Sequence, residues 1–183
     1  MGKIIILRHA KVNINNPKIY AKDMQRFIDK YNSLEIEQTN ISDELKELLN
    51  EANFFMTSEL KRAKDTLSLF NKESNLASSL FNEADLPYSN TKGFKLPAKV
   101  WAVIFRVAWL FGYSKNATSY KATKLRAKEA ANMLLTYLKT NKTIAIVGHG
   151  VMNRVIIKEL KNKGALVSQN RGSSNLSYIV VEY

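Results

Sequence analysis

The chain has 183 residues, enough for one α/β domain with a full core and too few for two comfortable ones. Its formal net charge of +12 favours anionic partners, whether phosphorylated small molecules, nucleic acid or an acidic membrane surface. Cysteine is absent, which excludes disulfides and thiolate metal sites, and two histidines make a poor zinc centre, so neither a metal nor a cofactor is expected.

The N-terminal run Ile4, Ile5, Ile6, Leu7 is too short for a signal-peptide core, and position 6 is Ile where a myristoylation signal needs Ser or Thr. A cytoplasmic location is the expectation. The run reads as a strand buried on both faces, and it stops at Arg8 and His9. In open α/β sheets the ligand crevice lies outside the carboxyl ends of the strands. The Asn-rich stretch to Pro17 is a turn leading into a helix expected over 18–31. Ser42 is a candidate N-cap, with Asp43 and Glu44 in the first helical turn and Leu45, Leu48 and Leu49 as its apolar face. Phe54 to Thr57 reads as a short strand. Ser58 then opens a helix over 59–70, which places Arg62 in the first turn, at the end where dipole logic disfavours a cation. An arginine there is suited to an anionic ligand, although surface arginines are usually just solvated.

A weak strand is expected over 76–81, followed by Glu83 and Asp85. Either carboxyl can serve as a general acid; both can equally do no more than cap a turn. The helix over 97–111 is apolar around most of its circumference, interrupted by Lys99 and Arg106, and is too short to span a bilayer, which takes about 20 apolar residues. It can be a lid over the site, a homodimer surface or an interfacial membrane contact; the first two fit better, because an interfacial helix needs a clean polar face. Residues 88–128, with Lys92, Lys95, Lys99, Arg106 and both tryptophans, are expected to roof the pocket. A helix over 120–139 carries Lys121, Lys124, Arg126 and Lys128. The strand over 143–147 ends at Gly148, His149 and Gly150, repeating the opening pattern, and a helix over 151–160, a loop over 170–174 and a strand over 176–182 follow. This alternation predicts one domain over 1–183, a three-layer α/β/α arrangement with a mostly parallel central sheet.

Two histidines and two arginines converging on strand and helix ends suit a phosphoryl group, whose charge is spread over its equatorial oxygens. Arginine offers each a planar fork. A neutral imidazole whose other nitrogen is held by a carbonyl can attack phosphorus, and a nearby carboxylic acid can protonate the leaving alkoxide.

Leu7-Arg8-His9-Ala10, the segment from Thr57 to Thr66 containing Arg62, and Val147-Gly148-His149-Gly150 together resemble the histidine phosphatase superfamily, the phosphoglycerate mutase-like fold. The three blocks stand in that family's order. The resemblance implies that His9 is the nucleophile forming a phosphohistidine, that Arg8, Asn15, Arg62 and His149 bind the phosphoryl group, that His149 also belongs to the catalytic set, and that Glu83 is the general acid. The chain departs from the pattern at Ala10, Lys11 and Val12, and Lys11 adds a cation beside the pocket. The mutases of that family are longer and carry a C-terminal tail that shields the phosphoenzyme, so the expectation is a metal-free phosphomonoester phosphatase acting on a small molecule or a phosphoprotein. A catalytically inactive phosphate- or phosphoprotein-binding module and a mutase-type phosphotransferase are the alternatives. The dispersed lysines and the lack of a nucleic-acid motif argue against nucleic acid as the partner.

Overall fold

The two most apolar runs of the chain sit side by side at the centre of the molecule. In the computed structural model, which describes residues 2–183, β1 (Lys3–Arg8) pairs in parallel with β6 (Thr143–Gly148), and Arg8 is in register with Gly148. Two further strands extend the parallel array: β3 (Phe54–Thr57) pairs with β6, and β4 (Leu76–Ala77) pairs with β3. On the other side, β8 (Tyr178–Glu182) runs antiparallel to β1, and β7 (Leu166–Asn170) runs antiparallel to β8. The order is β4-β3-β6-β1-β8-β7.

Alternation along β1 divides the core. Ile4 and Ile6 join Ile144, Ile146 and Met56 against α5 (Tyr120–Leu138) and α6 (Gly150–Asn162), while Ile5 and Leu7 join Ala145 and Val147 against α2 (Asp43–Asn50) and α3 (Lys61–Ser68). That is the expected three-layer arrangement. Each such aliphatic side chain withdrawn from water contributes about 1.5–3 kcal/mol, so the two faces of β1 hold the helical layers to the sheet. In α5 the small residues Ala127, Ala130 and Ala131 face the sheet, which lets the helix approach closely. Ser42 caps α2 by accepting from Leu45 N at 3.3 Å, and Ser119 caps α5 by accepting from Ala122 N at 3.2 Å.

A smaller cluster lies outside the sheet. Here α4 (Ala98–Leu110) buries Ala98, Trp101, Phe105 and Trp109, and two of these, Trp101 and Phe105, pack with Ala21 and with Met24 of α1 (Met24–Ser33). The indole N–H groups of Trp101 and Trp109 donate to Ile19 O and Thr118 O, so the tryptophans are anchors of this layer and do not reach the cavity described below.

Three stretches differ from the sequence expectation. The helix expected over 18–31 starts only at Met24, because Lys18–Ile19 forms a strand, β2, paired with Leu96–Pro97, β5. That partner lies almost eighty residues away and leaves no local trace in the sequence. The strand expected over 76–81 is two residues long and passes into a 3-10 turn, Ser79–Phe81, that buries Phe81. The edge strand β7 leaves no signal in the sequence; it is exposed along its length and carries an irregularity between Val167 and Gln169, so it lacks the alternation that marks a half-buried strand. Among the described residues no helix is long and apolar enough to cross a membrane.

Candidate active site

Because β3, β6 and β1 are parallel neighbours, their carboxyl ends lie at one edge of the sheet, and each ends in a polar group. These are Ser58, His149 and His9. The two imidazoles lie 5.1 Å apart between ring centres, tilted by 54°. His9 Nδ1 is 2.6 Å from Ala10 O. A carbonyl can only accept, so Nδ1 carries the ring proton and Nε2 of the neutral imidazole holds the free lone pair. His149 Nε2 is 2.6 Å from Ser58 Oγ, and its Nδ1 is buried with no partner. With the serine hydroxyl donating to Nε2, Nδ1 becomes an unpaired N–H donor inside the site.

Burial, aided by the Arg62 and Arg8 charges, lowers the His9 pKa to about 3, and the same causes in the same order, with His9 adding to them, depress His149 well below its usual value. Both are therefore neutral at physiological pH. The linkage has a definite sign. Below pH 6.5 the unfolded chain takes up protons on these histidines that the folded chain refuses, so stability falls as pH drops from 6.5 towards 3, at up to about 1.4 kcal/mol per pH unit for each histidine. Urea unfolding at pH 7 and pH 5 tests this: the native protein is expected to lose more stability between those values than a His9→Ala variant does.

Two arginines border the imidazoles. The Arg8 guanidinium donates through Nη1 to Ser173 O, and its Nε is buried and unpaired. Arg62 donates through Nη1 to Asn32 Oδ1 at 2.6 Å, stacks 4.9 Å above the Tyr31 ring, and likewise leaves Nε buried without a partner. Burial lowers the Arg62 pKa and raises that of Tyr31. Buried donors are rarely left unpaired in folded proteins. Here Arg8 and Arg62 each leave one, and His149 leaves an unpaired ring nitrogen beside them, which suits an anion-binding pocket.

The strand-end segment is braced from several directions. Thr66 Oγ1 accepts from Ala10 N at 2.9 Å and donates to Arg62 O at 2.6 Å, tying the β1 end to α3. The loop before β8 wraps Arg8 and His9: Asn175 Nδ2 donates to His9 O, Leu176 N to Arg8 O, and Arg8 N to Ser177 O. Leu176 holds a left-handed φ of 58° to do so, the kind of backbone strain that collects at functional sites. At the β6 end, Asn153 reaches back from the first turn of α6, accepting from His149 N and donating to Leu7 O, both at 3.1 Å. A methyl group on Gly148 would lie 2.3 Å from Asn153 Oδ1. Gly148→Ala is accordingly expected to cost about 1–3 kcal/mol, seen as a lower urea midpoint at unchanged slope.

The cavity beside these groups has a volume of about 760 Å³. Arg8, Arg62, Glu83, Asp85 and Asn175 stand on its wall, and Lys99, Ala102, Arg106, Asn116 and Arg126 supply it from the 88–128 segment, whereas Lys92 and Lys95 do not reach it. The two imidazoles, 3% and 0% exposed, do not reach the wall. Glu83 is fixed by the amino end of α6: its carboxylate accepts from Met152 N at 3.0 Å, Val151 N at 3.3 Å and Ala84 N at 2.9 Å. Asp85 instead accepts from Thr118 N and the Thr118 hydroxyl, pinning the loop before α5. Lys11 lines the cavity and pairs with Glu37 at 3.0 Å. Asn15 is exposed and is absent from the wall, to which its neighbour Ile14 contributes. The asparagines on the wall are Asn32, Asn82, Asn116 and Asn175, and Asn153 braces the β6 end behind it. Asn153 alone had a readable signal, as a polar residue on the otherwise apolar, sheet-facing side of α6.

No curated protein matches the chain by sequence. Similarity to solved structures is extensive at low identity and concerns the fold. The product of the open reading frame Rv3214 of Mycobacterium tuberculosis superposes with a TM-score of 0.66 at 16% identity, covering 100% of this chain and 91% of that one. A phosphoserine phosphatase from Entamoeba histolytica, a histidine-to-alanine variant in complex with phosphoserine, gives 0.55 at 19% identity over 88% and 81%. The alpha-ribazole phosphatase of Shigella flexneri gives 0.53 at 16% over 85% and 77%. At the level of sequence, a family model spanning residues 4–183 takes in both strand-end histidines, and with it the chain belongs to the histidine phosphatase superfamily, branch 1.

Proposed function

We propose that this chain is a phosphatase that hydrolyses a phosphomonoester through a phosphohistidine on His9. The observation that carries the reading is the His9 Nδ1 to Ala10 O contact at 2.6 Å, which leaves Nε2 as a neutral nucleophile between two arginines. That two of the similar structures bear the names of phosphatases supports hydrolysis over transfer to a second substrate.

In this mechanism the phosphoryl oxygens take the unpaired donors of Arg8, Arg62 and His149, and the Nε2 lone pair of His9 attacks phosphorus in line with the ester oxygen. The P–O bond to the leaving group breaks as the N–P bond forms, and Glu83 gives its proton to the departing alkoxide. A water then attacks phosphorus, Glu83 takes up the proton that water loses, the N–P bond breaks, and inorganic phosphate leaves. Glu83 is preferred over Asp85 because its backbone partners are Val151 and Met152, two and three residues after His149, whereas Asp85 is held by Thr118. The donor set supplies the charge stabilisation that the phosphoryl group needs, so the reading requires no metal.

The acid role has its own test. Glu83→Gln is expected to slow an alkyl phosphate at least tenfold more than p-nitrophenyl phosphate, whose leaving group needs little protonation; equal slowing of both would remove Glu83 from the role. The second reading, a catalytically silent phosphate-binding module, is favoured by the burial of both imidazoles. Acid-labile phosphate trapped on His9 during turnover of p-nitrophenyl phosphate in the presence of a chelator supports the phosphatase. Phosphate binding with no trapped intermediate across a broad panel of esters supports the module.

A further inference from the structure

One surface of the molecule plays no part in this chemistry. Along α4, Val100, Val103, Ile104, Val107, Leu110 and Phe111 recur at helical spacing and form a single stripe. All six are exposed, Val103 by 64% and Phe111 by 87%, and Phe94, 65% exposed, stacks on Trp101 near the amino end of the helix. Contiguous apolar surface of this kind marks a contact site. The sequence argued against a membrane contact because the helix lacks a polar face, and the structure explains the lack. The opposite side is packed into the protein through Ala98, Trp101, Phe105 and Trp109, so the helix is already anchored and needs no solvated side.

The charge of the segment that carries the stripe points to its occupant. From Leu86 to Lys128 the sequence contains nine lysines and arginines and not one aspartate or glutamate, so this segment supplies nine of the chain's twelve net positive charges. Lys92, Lys95, Lys99, Lys115, Lys121, Lys124 and Lys128 are exposed. A second copy docking face to face would set two such cationic surfaces against each other, which opposes association. An anionic bilayer satisfies both features, taking up aliphatic and aromatic side chains at the acyl boundary while its headgroups attract the lysines.

The stripe also leads to the active site. A groove of about 330 Å³ runs beside it, lined by Val103, Val107, Ala102, Leu86 and Val151, and it shares Glu83 and Arg106 with the catalytic cavity. We propose that the outer face of α4 seats this protein on an anionic membrane surface, and that the groove accepts the hydrocarbon portion of an amphiphilic phosphomonoester held in that membrane. The first half stands on the surface alone, and the second rests on the phosphatase reading.

The test uses the whole chain and a Leu110→Glu/Phe111→Glu double variant, whose changed side chains are exposed and line neither cavity. Flotation with phosphatidylglycerol/phosphatidylcholine vesicles in low salt is expected to carry the native protein at least tenfold more than pure phosphatidylcholine vesicles do. The variant should lose most of that binding while hydrolysing p-nitrophenyl phosphate within twofold of the native rate. Turnover of phosphatidic acid presented in the anionic vesicles should fall at least fivefold in the variant. Absence of flotation, equal flotation of the variant, or a dimer in sedimentation equilibrium that the variant abolishes overturns the docking surface. Flotation as expected, with p-nitrophenyl phosphate hydrolysed and phosphatidic acid ignored, overturns the amphiphilic substrate. Flotation as expected with no phosphatase activity of any kind overturns the phosphatase reading, and the substrate half with it, while the docking surface stands.

Discussion

His9→Ala is expected to lower kcat by at least about 10⁴-fold, the scale on which loss of a covalent nucleophile is felt, and to leave the fold intact. The side chain lies at the end of β1 rather than within the sheet, and its ring bonds only to the carbonyl of the next residue. Far-UV circular dichroism and the cooperativity of unfolding should match the native protein at pH 7, and radiolabelled phosphate should no longer be retained after acid-free denaturation. A variant that unfolds would assign His9 to the core instead. A folded variant that keeps its turnover would move the nucleophile elsewhere, with His149 as the next imidazole in place.

Arg62→Lys is expected to reduce kcat/KM by about 10²–10³-fold, comparable to removing one preorganised donor from a charge-stabilising site. Three features of Arg62 depend on a planar fork: the bond to Asn32 at 2.6 Å, the stacking over Tyr31 at 4.9 Å, and a buried Nε left for a ligand. Lysine keeps the charge and none of that geometry. Competitive inhibition by inorganic phosphate should weaken in parallel, because the lost contacts are to the phosphoryl group. A lysine variant with native kinetics would show that Arg62 contributes only its charge.

The parts of the site that were legible in the sequence are those created by strand ends. A β-branched run that stops at a charged or glycine-flanked residue marks the crevice edge of a parallel sheet, and this exposed Arg8, His9 and His149 without reference to any other segment. Arg62 was legible because a cation in a first helical turn is out of place. Partners supplied by distant segments left no such mark: Ser58 and Asn175 are polar residues in turns and could as well have faced solvent, and Asn32 reads as an ordinary residue near a helix end. Asn15, a position taken from the motif, is exposed and stands off the cavity wall. The fold was legible to the same depth. Runs of apolar residues fixed the core strands and the two helical layers, while the pairing of Lys18–Ile19 with Leu96–Pro97 depends on a contact between segments far apart in the chain.

The position of β1 also bears on how the molecule comes to be assembled. It precedes every other element described, yet its two neighbours are β6 and β8, and the loop bracing Arg8 and His9 immediately precedes β8. His9 therefore acquires its surroundings only once β6 and β8, both distant in the chain, have paired with β1. Such non-local pairing slows folding and prolongs the time for which β1 stays unpaired, a six-residue strand, Lys3–Arg8, whose bare edges invite wrong pairing meanwhile.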